Sequence, residues 1–80
     1  MDKIKKHLAK LPRRKRDRVE QALCDIYLRR MAGYAMKKIR GHQFLYRIRI
    51  EDQRIIFYMD HEHTNIISVD KRDDRTYQNL

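Results

Sequence analysis

Arginine is the residue type most suited to chemistry in this sequence, and its spacing matters as much as its number. Arg47 and Arg49 alternate with Tyr46, Ile48 and Ile50, Arg54 opens a second apolar run, and Arg72 follows a third. Residues two apart on a strand share a face, so these side chains can converge. A guanidinium grips phosphate with two parallel hydrogen bonds and stays charged at any working pH. Several of them on one sheet face, with Tyr58 and Tyr77 as stacking surfaces, suit an RNA backbone with its bases splayed out. A pairing that sets Arg49 opposite Arg54 also costs stability. A small chain keeps such a conflict where function needs it. The competing reading is an ordinary solvated face neutralised by Glu51, Asp52 or Asp70.

A second basic group comprises Arg13, Arg14, Lys15, Arg16 and Arg18. It falls at the start of a predicted helix, where the macrodipole disfavours cations. That position points to a polyanionic partner, with Lys38 as a further candidate contact, although a solvated helix face has the same composition.

The elements that must place these groups are readable from periodicity. Ile4, Leu8 and Leu11 predict a short amphipathic helix over residues 3–11, and Pro12 suits the opening of a second. Val19, Ala22, Leu23, Ile26 and Tyr27 carry the second helix to about Met31, with Gly33 as its left-handed stop. The period then changes from 3.6 to 2 over residues 43–50 and 53–59, with Glu51-Asp52 as a tight turn between two strands. Placing Ile50 opposite Gln53 puts Phe44, Tyr46, Ile48, Ile50, Ile55, Phe57 and Met59 on one face, the predicted core. Leu45, Arg47, Arg49, Arg54, Ile56 and Tyr58 take the other. A third strand at 66–69 adds Ile67 and Val69 to the core, so that Ser68, Asp70 and Arg72 point with the arginines. The fold class is α+β: an N-terminal helical hairpin packed on one face of a small antiparallel β-sheet.

Composition agrees with one folded domain over residues 1–80. The chain has 80 residues, 41% of them hydrophobic, with two Gly and one Pro, which argues against disorder despite 39% charged residues. Net charge is +9, and its distribution is uneven: residues 1–40 hold fourteen Lys/Arg against four Asp/Glu, and residues 41–80 hold six against seven. Such a chain expects a polyanion such as nucleic acid. No apolar stretch approaches the roughly 18 residues of a membrane span, and no signal-peptide core is present. The single Cys24 excludes an intramolecular disulfide framework and suggests a reducing, cytoplasmic setting. Without a Gly-rich phosphate loop, nucleotide-hydrolysing enzymes are excluded.

Leu11-Pro12, Lys38-Ile39-Arg40-Gly41, Tyr46-Arg47-Ile48-Arg49, Arg54-Ile55-Ile56-Phe57-Tyr58 and Val69-Asp70-Lys71-Arg72 through Tyr77 occur in that order. With these motifs the chain resembles the RelE/ParE superfamily of toxins from bacterial and archaeal toxin–antitoxin pairs. The resemblance implies a helical hairpin on an antiparallel sheet, with one departure: the family's first strand has no counterpart before the helices. RelE-type members cleave mRNA in the ribosomal A site without a metal, and ParE-type members inhibit DNA gyrase. The resemblance places functional residues at Arg47, Arg49, Arg54, Arg72 and Tyr77, which favours RNA cleavage. A gyrase inhibitor and an inactive RNA-binding relative are the alternatives. The implied partners are the ribosome, mRNA and a short, partly acidic, helical antitoxin, with no cofactor.

That reaction needs a base for the 2′-hydroxyl, stabilisation of a phosphorane and a proton for the leaving 5′-oxygen. Arginine suits the second role alone. Arg54 and Arg72 fit the phosphorane, Arg47 and Arg49 the backbone, and Tyr77 stacking or proton transfer. Lys38, Lys71 and His42 are weak candidates for acid or base. The remaining signals read as structural: His61 and His63 as an exposed turn rather than a metal site, His7 as solvated, Cys24 as a semi-buried thiol, Met31 and Met36 as packing residues.

Overall fold

The computed structural model describes residues 3–71. Helix α1 (Lys3–Ala9) buries Leu8 and ends where Lys10 and Leu11 tighten into i→i−3 hydrogen bonds ahead of Pro12. Pro12 sits in an extended conformation one residue before helix α2 (Arg13–Tyr27), and its carbonyl accepts from Arg16 N at 2.8 Å. Val19, Ala22 and Ile26 form the buried stripe of α2.

The second helix stops earlier than its apolar pattern predicts. Arg29 adopts the left-handed conformation (φ 58°); its N–H bonds the carbonyl of Ile26, and Arg30 N bonds Asp25 O at 2.7 Å. These two bonds close a Schellman motif, satisfying carbonyls that would otherwise be orphaned. Arg29 Nη2 also donates to Asp60 O at 2.7 Å, which offsets the strain by anchoring the helix end to a strand turn. Gly33, the expected stop, has no left-handed φ. Tyr27 lies about 100° round from Ile26 and is 54% exposed, so it is not part of the apolar face.

Four strands follow: β1 (Met36–Lys38), β2 (Leu45–Ile50), β3 (Gln53–Met59) and β4 (Thr64–Lys71). They form an antiparallel meander in the order β1-β2-β3-β4. The expected hairpin register is present: Ile50↔Gln53, Arg49↔Arg54, Ile48↔Ile55 and Tyr46↔Phe57. Glu51 enters its turn at φ 54° without the glycine that such a turn prefers.

Two core assignments change. Between Ile56 and Phe57 the ladder to β4 shifts, running Ile56↔Ser68 and then Phe57↔Ile66. The extra residue, Ile67, is turned out and 51% exposed, and Ile66 takes its place against the core. Phe44 precedes β2 and sets its ring edge-on to Tyr58 instead of joining the core.

Leu8, Val19, Ala22 and Ile26 from the helices meet Ile48, Ile55, Phe57 and Val69 from the sheet. Both helices pack on one side, and among the described residues no helix packs on the other.

Candidate nucleic-acid interface

Because strand side chains alternate, burying Ile48, Ile55 and Val69 commits the residues between them to the open face. There Arg47 and Arg49 of β2 are exposed, and Arg54 of β3 is half-buried. The pairing Arg49↔Arg54 is adjacent to the closing pair of a two-residue hairpin, so it is a close, non-hydrogen-bonded pair. Asp70 of β4 stands opposite Arg54 and is the only carboxylate on the described strands.

Strand β1 adds a cation that sequence reasoning missed. Lys37 pairs with Arg47 and therefore lies on the arginine face. Met-Lys-Lys is too short to show alternation and has no β-branched residue; the detectable signal was the preceding Tyr34 and following Ile39 flanking a polar pair. The open face thus carries two like-charge pairs in neighbouring ranks, Lys37 with Arg47 and Arg49 with Arg54.

Lys38 and Lys71 are placed differently. Lys38 pairs with Tyr46 and Lys71 with the buried Gln53, so both belong to the helix-side face of the sheet. His42 is exposed in the β1–β2 loop. Arg72 and Tyr77 lie outside the described residues.

The basic cluster of α2 divides into two sets. Lys15 Nζ meets the Asp52 carboxylate at 3.0 Å, and Arg18 Nη1 meets Glu51 Oε1 at 3.1 Å. These pairs dock the helix on the β2–β3 turn. Hydrogen bonds from Gln53 and then Lys15 hold the Asp52 carboxyl below the usual carboxylate range. Arg13 and Arg14 are exposed, and Arg16 is half-buried.

His7 is not solvated as its helix position suggests. Its Nε2 lies 2.5 Å from Oε1 of Gln53, which is buried, and Gln53 Nε2 donates to Asp52 Oδ1 at 3.0 Å. A chain of polar contacts therefore runs from α1 through β3 and its turn to α2. Since Gln53 Oε1 accepts, the imidazole Nε2 carries a proton.

Tyr58 is also tied. Its hydroxyl donates to Asp60 Oδ2 at 2.6 Å, which raises the phenol's pKa. Asp60 Oδ1 accepts from the backbone N–H groups of Glu62 and His63 at 2.8 and 2.7 Å. These bonds, Tyr58's first, hold the Asp60 carboxyl far below the ordinary range. The Tyr58 ring also meets Phe44, with centroids 5.8 Å apart. Cys24 is exposed, against the semi-buried expectation, and so is Met36; Met31 packs against the core. His61 and His63 are exposed, and no cluster that could hold a metal occurs among the described residues.

No protein-family model matches the chain, and no curated protein is detectably similar to it. Its fold is similar to that of a chain in the crystal structure of a RelB-RelE antitoxin-toxin complex from Methanococcus jannaschii. The TM-score is 0.75 at 21% identity, covering 100% of this chain and 95% of that one. The likeness establishes a common fold, two helices on an antiparallel sheet.

Proposed function

We propose that the chain is the toxin of a toxin–antitoxin pair, a ribosome-dependent endoribonuclease that cuts mRNA in the A site. The observation that carries this reading is the pair of like-charge ranks on the face away from the helices, Lys37 with Arg47 and Arg49 with Arg54. Charges so opposed are relieved by a bound polyanion, and a single-stranded RNA backbone supplies one. Support for the toxin–antitoxin context comes from a fold shared with a chain of an antitoxin–toxin complex. A short acidic antitoxin would complement the +9 charge of this chain.

In this reaction a ribose 2′-oxygen attacks the adjacent phosphorus as the P–O5′ bond breaks. A 2′,3′-cyclic phosphate forms, and the 5′-oxygen leaves with a proton. Arg54 and Arg72 hold the more negative phosphorane, and Arg47 and Arg49 hold the flanking backbone. With Lys38 and Lys71 on the helix-side face, Tyr77 and groups of the ribosome are better suited to the proton steps. Arg13, Arg14 and Arg16 add backbone contacts to ribosomal RNA.

Primer extension on mRNA from cells expressing the chain tests the proposal. Cuts within translated codons are expected, and Arg72→Ala should lower cleavage on programmed ribosomes about a hundredfold. Intact mRNA with DNA breaks would instead identify a gyrase inhibitor. Intact mRNA and DNA together would leave a passive RNA-binding module.

A further inference from the structure

The two edges of the sheet are built differently. Strand β1 presents three exposed residues, two of them lysines, which blunts that edge against further pairing. Strand β4 is eight residues long, contains no proline, and carries no charge over residues 64–69. Thr64, Ile66, Ile67 and Val69 are all β-branched, which suits a strand.

The hydrogen-bond pattern fixes which backbone groups of β4 face outward. Asp60 N donates to His63 O and Met59 N to Phe44 O, each at 3.0 Å. Alternation from these bonds turns Asn65, Ser68 and Asp70 toward β3, opposite Tyr58, Ile56 and Arg54. The bulge at Ile67 shifts the phase by one residue, so the outward groups belong to Thr64, Ile66, Val69 and Lys71. On that side no strand lies among the described residues, and these N–H and C=O groups meet no backbone partner there.

We propose that the outer edge of β4 is a docking site for an extended, acidic segment of a partner protein, which joins the sheet as a further strand. The inference stands on this edge and its surroundings, and holds whether or not the arginine face cuts RNA. Charge decides the partner. Helix α1 packs on β4 and α2, while α2 reaches from β4 to β2, so α1 borders this edge. Lys3, Lys5 and Lys6 of α1 are exposed, as is Lys71 at the end of β4, and α1 contains no acid. A second copy pairing antiparallel, edge to edge, would set its own α1 beside this one, lysine against lysine. The bulge also twists the edge, which two preformed edges match poorly and a pliable segment can follow. Away from the core, Ile67 is 51% exposed beside the edge. The fitting strand therefore alternates acids on the α1 side with apolar residues on the Ile67 side.

The test uses the full chain and a fluorescent peptide that alternates valine with glutamate and matches β4 in length. In the free chain the amides of Thr64, Ile66, Val69 and Lys71 should exchange with deuterium faster than those of Asn65, Ser68 and Asp70. Peptide at about ten times its Kd should slow the first four about tenfold and leave the others unchanged. The same peptide N-methylated at the residues that face the edge keeps its charge and should protect none of them. Lysine in place of glutamate should weaken binding about tenfold. No binding, equal protection by the N-methylated peptide, or equal affinity of the lysine peptide would overturn the proposal. It also falls if the four amides are already protected in dilute free chain. Protection that grows with chain concentration alone would put a second copy on the edge and overturn it as well.

Discussion

On the covered face of the sheet, Ile48, Ile55, Phe57 and Val69 meet the helices, and the buried Gln53 is held by His7 and Asp52. One residue along the same strands, on the open face, Lys37 stands against Arg47 and Arg49 against Arg54. The backbone is shared, so the difference lies in what the side chains are selected for. Two acids of the β2–β3 turn are engaged by the second helix: Glu51 holds Arg18 and Asp52 holds Lys15. Asp70, the carboxylate on the described strands, stands opposite Arg54. The covered face stabilises the fold, and the opposite face sets like charges across from one another.

Substitutions on the two faces should therefore separate stability from activity. Phe57→Ala, at a fully buried position, should cost about 3–5 kcal/mol in a denaturant melt. Arg54→Ala should leave most of the stability in place and lower mRNA cleavage about a hundredfold on programmed ribosomes. Cleavage near that of the parent would take Arg54 out of the site. His7→Ala strands the Gln53 carbonyl in the interior and should cost about 1–3 kcal/mol, with little effect on the cleavage rate per folded molecule. Arg49→Thr removes one like-charge pair and adds a β-former, so the melt should improve by up to about 1 kcal/mol while RNA affinity falls. A destabilised Arg49→Thr would mean that the open face is not in conflict.

The smallest effect is in acid. The Asp60 carboxyl is held low by Tyr58 and two backbone N–H groups. Its folded pKa lies below the unfolded value of about 3.9, so its contribution is complete above that pH. The contribution is lost as pH falls below about 4. Asp60→Asn should therefore flatten the acid side of the stability profile and shift the neutral plateau in the destabilising direction.

Much of this arrangement is legible in the sequence because hydrophobic alternation and turn length fix a hairpin register. The pairing of Arg49 with Arg54 follows directly from Ile50 meeting Gln53. What was not legible depends on tertiary contacts or on single-residue irregularities. Arg29 ends α2 because Asp60 O lies within reach, information absent from residues 13–31. The bulge that expels Ile67 leaves the alternation of β4 looking regular. His7 reads as one more polar residue on a basic helix until Gln53, 46 positions away, is placed against it. The place of Lys37 depends on a three-residue strand whose composition resembles a loop.

The docking of α1 on β4 has a consequence for how the chain comes to exist in a cell. Seven residues make too short a helix to persist alone. The first described helix also meets α2 and, through His7, β3, but its packing surface is complete only after β4, the last of the described strands, has emerged. Synthesis of residues 3–71 precedes final closure, and the contacts concerned join the two ends of that span. By this order of assembly, the layer that covers the core face of the sheet is the first made and the last to settle.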